Sequence, residues 1–329
     1  MTDLSIIGGG SFATALVKIL TENKVKISWY LRREEQVEYI KEEGNNPDYL
    51  SFVKLDRDYL TLSNDLDFCI ANSPIILFVV PSAHFENLCH GIDVQSMQDK
   101  VVVTAIKGTV GIDNMLPSAY VARNFGIQED SQAIIAGPCH AEEIAMGRKT
   151  YMTIGSSNVE ILNKLSPYFS SHYVTVNQQQ DMNGAEYAAI FKNVVGLVCG
   201  MAKGLNYGDN FMAVLVSNAI YELEVLLQAL YVKQKRISCS SYLGDLFVTA
   251  YSSFSRNRTF GELIGRGYSV EQTRNAMAMV AEGYTATKGL YQTAKDLNIN
   301  LPIVNTAYRI LYNHMAVTTE FKLLERNII

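Results

Sequence analysis

In the stretch IIGGGSFATAL, Gly8, Gly10 and Ala13 stand in G-x-G-x-x-A spacing, directly after an apolar run and at the start of a helical one. Gly8 permits a tight turn, Gly10 lets the backbone approach a pyrophosphate, and Ala13 keeps helix and strand close. Main-chain N–H groups at the helix N-terminus then hold the negative charge. That chemistry is dinucleotide binding. A second β-rich run, in KISWYLRREE, ends in Arg32 and Arg33, with Glu34 following. A site selective for NAD offers the ribose 2′-hydroxyl an acid at this point, whereas arginine matches a 2′-phosphate in charge and fork geometry. NADP is therefore favoured as cofactor, with NAD still admitted.

Proton and anion chemistry is placed elsewhere. EYAAIFKNVVGLVCG reads as an apolar helix with one lysine, Lys192, in its middle, flanked at helical spacing by Ala185, Ala188, Ala189, Val195, Gly196, Cys199 and Gly200. Either the lysine lays its stem on apolar surface with its head in water, or its ammonium enters a cavity. The small residues beside it are read as the wall of a cleft rather than as helix-packing surface. Lys107, in AIKGTVG, follows an apolar strand, and open α/β sheets bind ligands at the carboxyl ends of their strands. AGPCHAEEI repeats the arrangement, with Gly137-Pro138 ahead of a helix opened by His140-Ala141-Glu142. Asp245 in YLGDLF precedes the polar run SRNR, Ser255 to Arg258. Arg256, Asn257 and a helix N-terminus suit a phosphomonoester.

The elements that must position these residues change character along the chain. LSII (4–7), KISWY (26–30), IILFVV (75–80), VVVTA (101–105), AIIAG (133–137), YMTIG (151–155) and YVTV (173–176) alternate with helical stretches. That alternation predicts βα units around a largely parallel sheet. After about residue 180 the strand pattern stops, and 211–234, 285–298 and 303–315 carry helical spacing. The fold class is α/β, with a dinucleotide-binding domain at 1–180 and a helical substrate-binding domain at 181–329. Lys192 falls in the first long helix after the join.

At 329 residues the chain exceeds the usual single core, in keeping with two domains. The net charge is −5, and basic residues are scattered apart from small groups such as Lys233, Lys235 and Arg236, which excludes nucleic acid as main partner. No run is read as long and apolar enough to span a membrane, so no integral membrane contact is expected. The start, MTDLSII, reads as a first strand and not a signal peptide. Five well-separated cysteines without a C-x-x-C look like reduced cytoplasmic thiols, and the lone Cys139-His140 pair does not make a metal site.

Taken in order, GGGSFATAL, NNPDYL, VVPS, AIKG, GPCHAEE, FKNVVGL, GLNYGDN, LGDL, SRNRTFG and AEGYTA resemble the NAD(P)-dependent glycerol-3-phosphate dehydrogenase family, bacterial type, from residue 4 to about 310. The resemblance implies a Rossmann-like N-terminal domain, an all-helical C-terminal domain, and interconversion of dihydroxyacetone phosphate and sn-glycerol 3-phosphate for phospholipid synthesis. It assigns Lys192 as general acid/base. Substrate contacts fall on Lys107, Gly137, Cys139, Lys192, Asp245, Ser255, Arg256 and Asn257. Cofactor contacts fall on Ser11, Phe12, Arg32, Lys107, Ala141, Arg256, Val280 and Glu282, beside Gly8 and Gly10. Phe12-Ala13 stands where the family has Trp-Gly, Cys139-His140 where it has a small hydroxyl and an aromatic, and SCSSY where it is rich in glycine.

In the implied reaction Lys192 donates a proton to the developing alkoxide, Lys107 adds positive charge near the same oxygen, and Asp245 holds Lys192. A small-molecule phosphate is the partner expected, with a homodimer as a further candidate. Two other readings stay open. A two-domain β-hydroxyacid dehydrogenase or ketopantoate-type reductase would act on a carboxylate substrate. A dinucleotide-binding sensor without catalysis would keep the glycines and dispense with Lys192 and Asp245.

Overall fold

A computed structural model describes residues 1–230, 237–277 and 281–328. The chain forms two compact units. Unit 1 comprises Met1–Ile106 and Pro117–Met182, and unit 2 comprises Lys107–Leu116 and Asn183–Ile329. The segment 107–116 thus belongs to unit 2 although strands of unit 1 precede and follow it.

Unit 1 is built on strands β1 (Leu4–Ile7), β2 (Ile27–Tyr30), β3 (Leu60–Ser63), β4 (Ile75–Phe78), β5 (Val101–Thr104), β6 (Gln132–Ala136), β7 (Thr150–Gly155) and β8 (Val174–Gln179). They form one sheet in the order β3-β2-β1-β4-β5-β6-β7-β8. Neighbours run parallel except β6 and β7, which are antiparallel. Around them lie α1 (Ser11–Glu22), α2 (Glu34–Glu43), α3 (Leu66–Ala71), α4 (Ser82–Cys89), α5 (Pro117–Phe125), α6 (Ala141–Ala145) and α7 (Val159–Phe169). Each apolar run read from the sequence overlaps a strand. The edge strand β3 escaped that reading because LTLS alternates polar and apolar residues and is only half-buried along its length.

Unit 2 is helical beyond residue 182 among the described residues: α8 (Met182–Gly204), α9 (Asp209–Ala229), α10 (Asp245–Tyr251), α11 (Arg256–Gly265), α12 (Val270–Ala276), α13 (Glu282–Asp296), α14 (Pro302–Tyr312) and α15 (Val317–Leu324). The basic group Lys233, Lys235 and Arg236 lies outside the described residues, as does the end of the helix expected over 211–234. By length and composition α8 and α9 are each apolar enough to cross a bilayer, which corrects the sequence-based expectation that no run is. The apolar window of α8 is 94% buried within the protein and that of α9 44%, so α8 has the surroundings of a core helix.

The glycines of α8 correct a second expectation. A methyl group on Gly200 would lie 2.1 Å from the carbonyl oxygen of Arg258, and one on Gly204 2.4 Å from that of Glu262. From the other side, methyls on Gly261 and Gly265 of α11 would lie 1.9 Å and 2.3 Å from the carbonyl oxygens of Leu197 and Met201. Gly196 faces the Thr249 methyl of α10 in the same way, at 2.8 Å. This small-residue face is a helix-packing surface, backbone against backbone, and not a cleft wall.

One buried acid of unit 2 caps a helix. Glu222 of α9, 3% exposed, accepts the N–H of Ile303 at 2.5 Å and that of Val304 at 3.5 Å. α14 opens with Leu301 and Pro302, which offer no capping side chain, so the cap comes from another helix. Burial pushes the Glu222 carboxyl up to about 8, against the opposing pull of the two backbone N–H groups.

Gly200→Ala should lower stability by about 2–3 kcal/mol through overpacking, read as a fall in Tm by calorimetry. For Glu222 the folded state holds the proton more tightly than the unfolded chain, so its contribution to stability is present at low pH. That contribution is lost as pH rises toward about 8. Glu222→Gln should therefore flatten the fall in Tm between pH 5 and pH 8 relative to the parent chain.

Candidate functional site

In unit 1 the path from β1 to α1 makes the turn that the glycine spacing anticipates. Gly8 has φ +132°, and a methyl there would meet the carbonyl oxygen of Val79 at 2.1 Å, so only glycine fits. The single tryptophan, fully buried on β2, donates from Nε1 to the Gly8 carbonyl at 2.7 Å and fixes the turn from below. Gly10 is the N-cap residue of α1, and the space where its Cβ would stand is open. No side chain caps this helix and no acid stands in its first turn. An open approach to an uncapped N-terminus of a 12-residue helix fits a dinucleotide pyrophosphate. Ser11 and Phe12 open α1, the first buried and the second half-buried. Arg32 is exposed just past the end of β2.

α6 packs on α1, the helix that follows the glycine turn. Ala141 is the first residue of α6 and is buried. Gly137 has φ +93°, with β7 behind it: the Tyr151 carbonyl oxygen would be 2.9 Å from an added methyl. The Cys139 thiol, 6% exposed, donates to the Gly137 carbonyl at 3.1 Å and so closes its own turn.

In unit 2 the Lys192 ammonium of α8 forms an ion pair with Asp245, the first residue of α10. Their side chains are 7% and 2% exposed, so the lysine does not snorkel to water. The last three residues of SCSSY begin one turn of π-helix, Ser240–Gly244, which leads directly into Asp245. Among the described residues Asp245 Oδ2 has no hydrogen-bond partner, so the pair keeps an acceptor in reserve.

Beside this pair runs a chain of amides. Asn193 donates from Nδ2 to the Lys107 carbonyl at 2.7 Å and accepts at Oδ1 from Asn257 Nδ2 at 2.9 Å. Asn257 Oδ1 in turn accepts the Gly283 N–H at 2.8 Å. Two side chains thus join the Lys107 segment, α8, α11 and the first turn of α13, where Glu282 stands. Ser255 is the N-cap of α11, accepting the Arg258 N–H at 3.3 Å, and Arg256 is the exposed first residue of that helix. The structure therefore brings Lys107, Lys192, Asp245, Ser255, Arg256, Asn257 and Glu282 into unit 2, and Gly8, Gly10, Ser11, Phe12, Arg32, Gly137, Cys139 and Ala141 into unit 1. Val280 lies outside the described residues. Asn193 was missed. Its signal was a second polar residue, next to Lys192, in an otherwise apolar run.

Residues 3–162 match the N-terminal domain, and residues 181–322 the C-terminal domain, of NAD-dependent glycerol-3-phosphate dehydrogenase. The chain belongs to the NAD-dependent glycerol-3-phosphate dehydrogenase family. A relative from Carboxydothermus hydrogenoformans, named glycerol-3-phosphate dehydrogenase (NAD(P)+), is 32% identical over 309 residues, covering 94% of this chain and 92% of the relative. One of the same name from Staphylococcus aureus is 29% identical over 337 residues, covering 99% of each chain. The crystal structure of glycerol-3-phosphate dehydrogenase from Coxiella burnetii superposes with a TM-score of 0.89 at 26% identity, covering 98% of both chains.

Set against the family pattern, this dehydrogenase chain accommodates its substitutions locally. Ala13, in place of the usual glycine, is fully buried in α1. Asn193→Ala should strand the Lys107 carbonyl and the Asn257 amide, lowering stability by about 2 kcal/mol as read from denaturant unfolding.

Proposed function

We propose that this chain interconverts dihydroxyacetone phosphate and sn-glycerol 3-phosphate with NAD(P)H. The observation that carries the reading is the buried Lys192–Asp245 pair with an acceptor in reserve, in a chain whose family and relatives are dehydrogenases of this substrate. When bound, the dinucleotide supplies the hydride for C2 of the ketone. Gly8, Gly10, Ser11, Phe12, Arg32 and Ala141 of unit 1 would hold it, with Lys107, Arg256, Val280 and Glu282 contributing from the rest of the chain.

Lys192 Nζ donates the proton that the developing alkoxide needs, and Asp245 orients the ammonium. Proton transfer leaves a neutral amine beside the carboxylate, to be reprotonated from water. Lys107 adds positive charge toward the same oxygen. Arg256 and the N-terminus of α11 anchor the phosphate, whose binding orients C2. Asn257 already spends its amide oxygen on Gly283 and one amide hydrogen on Asn193, so its contribution there is chiefly to hold α11 in place. Gly137 and Cys139 complete the substrate contacts.

Five free thiols support a cytoplasmic setting, and the same reading extends to a homodimer that supplies the glycerol backbone of phospholipids. A ketopantoate-type reductase would need a carboxylate anchor, and a silent sensor would have no use for a buried lysine aligned by an acid.

Lys192→Ala should lower kcat for dihydroxyacetone phosphate by at least about a hundredfold, while NADPH binding followed by fluorescence changes little. Because the alanine variant strands a buried carboxylate, the double variant Lys192→Met/Asp245→Asn serves as a folded control and should be equally inactive. Near-parental kcat in either one, or turnover of ketopantoate in preference to dihydroxyacetone phosphate, refutes the assignment.

A further inference from the structure

The residues just past β2 stand where a dinucleotide's ribose 2′ position is read, and the sequence puts two arginines there. The structure separates them. Arg33 is ion-paired with Asp48, the side chains being 52% and 39% exposed. Arg32 is exposed and, among the described residues, makes no ion pair. The acid that β2 itself lacks is brought to this place by the loop that follows α2.

That loop is firmly held. The Asp48 N–H donates to Asn46 Oδ1 at 3.1 Å, and Asn46 is fully buried. Asn46 Nδ2 donates to the carbonyl of Gly9 at 3.1 Å and to Thr14 Oγ1 at 2.8 Å, while its Oδ1 also accepts from Gln36 Nε2 at 2.9 Å. The position of Asp48 is therefore tied to the glycine turn, to α1 and to α2. Gly44 at the end of α2 takes φ +71°, and its carbonyl accepts the Leu55 N–H at 2.8 Å, which closes the base of the loop.

We propose that Asp48 is a specificity-determining residue for the cofactor: by pairing with Arg33 it leaves only Arg32 to meet a 2′-phosphate and presents a carboxylate to a 2′-hydroxyl. The site then accepts both NADP and NAD, where two unpaired arginines would select NADP. The inference rests on the dinucleotide reading of unit 1. As a stabilising contact an exposed pair of this kind counts for little. Its charge matters more, because neutralising Asp48 returns one full positive charge to a site that faces a phosphate, worth about five- to tenfold in affinity at low salt.

The test is calorimetric titration of the full chain, without turnover, using adenosine 2′,5′-bisphosphate and 5′-AMP as probes. Asp48→Asn should tighten the bisphosphate about five- to tenfold at low salt, with 5′-AMP unchanged within about twofold, and the gain should shrink at 0.5 M salt. Arg33→Ala in the Asp48→Asn background should abolish the gain. If both nucleotides bind but Asp48→Asn leaves their ratio within about twofold of the parent, or the gain survives Arg33→Ala, the proposal is overturned. If neither nucleotide binds the parent chain, the dinucleotide reading itself fails and the proposal with it.

Discussion

Unit 2 is organised by the approach of α8 to α11, close enough that carbonyl oxygens of each helix stand where side chains of the other would begin. Helices packed through larger residues lie 8–10 Å apart, axis to axis. Glycine on both faces removes that spacer, and short side chains can then reach across. Asn193 meets Asn257 because the backbones that carry them are already in contact, and Gly283 reaches Asn257 by the same logic, since a methyl there would meet the Asn193 carbonyl oxygen at 2.5 Å. The lysine, its amide neighbour and the start of α11 thus owe their relation to residues that have no side chains.

Three buried acids of unit 2, Asp245, Glu320 and Glu222, are handled by three different devices. Lys192 and Asp245 neutralise each other. Glu320, 1% exposed, takes the Arg309 guanidinium of α14 at 2.6 Å, with the arginine still reaching water. Glu222 has no cation among the described residues and rests on the N-terminus of α14; burial pushes its carboxyl up, and the two backbone N–H groups offset that only in part. Among the described residues only the first device leaves a polar atom unspent at the centre of the pair. A reserve acceptor beside a buried ammonium is the feature on which the proposed proton-transfer role of this pair rests.

The fold class, the strand runs and the glycine turn were legible because each is a local pattern: alternation, apolar runs, G-x-G-x-x-A. Lys192 was legible as an oddity, a charge in an apolar helix. Yet Glu222 gives the same signal in α9 and proves to be a cap, so periodicity marks a buried charge without saying what it serves. The glycines around Lys192 were misread because a face of small residues looks alike whether it borders a space or another backbone. The partner, Gly261 and Gly265, lies some sixty residues away, and nothing local joins the two. Asn46 and Asn193 stayed hidden for a related reason: an asparagine reads as loop or surface until its four hydrogen bonds or its two carriers are assembled in space.

The segment 107–116 has a consequence for how the chain comes into being. Lys107 leaves the ribosome well before α8 exists, and its carbonyl has to wait for Asn193, 86 positions on. Thr109 likewise waits for α13, whose Gly289 is close enough that an added methyl would meet the threonine hydroxyl at 2.6 Å. The amino-terminal sheet must therefore close around a loop committed to a unit not yet made, and the helical unit cannot be finished by its own half of the message. Severed at residue 182, the carboxyl-terminal piece would carry Lys192 and Asp245 but lack the lysine that the proposed reaction sets beside them.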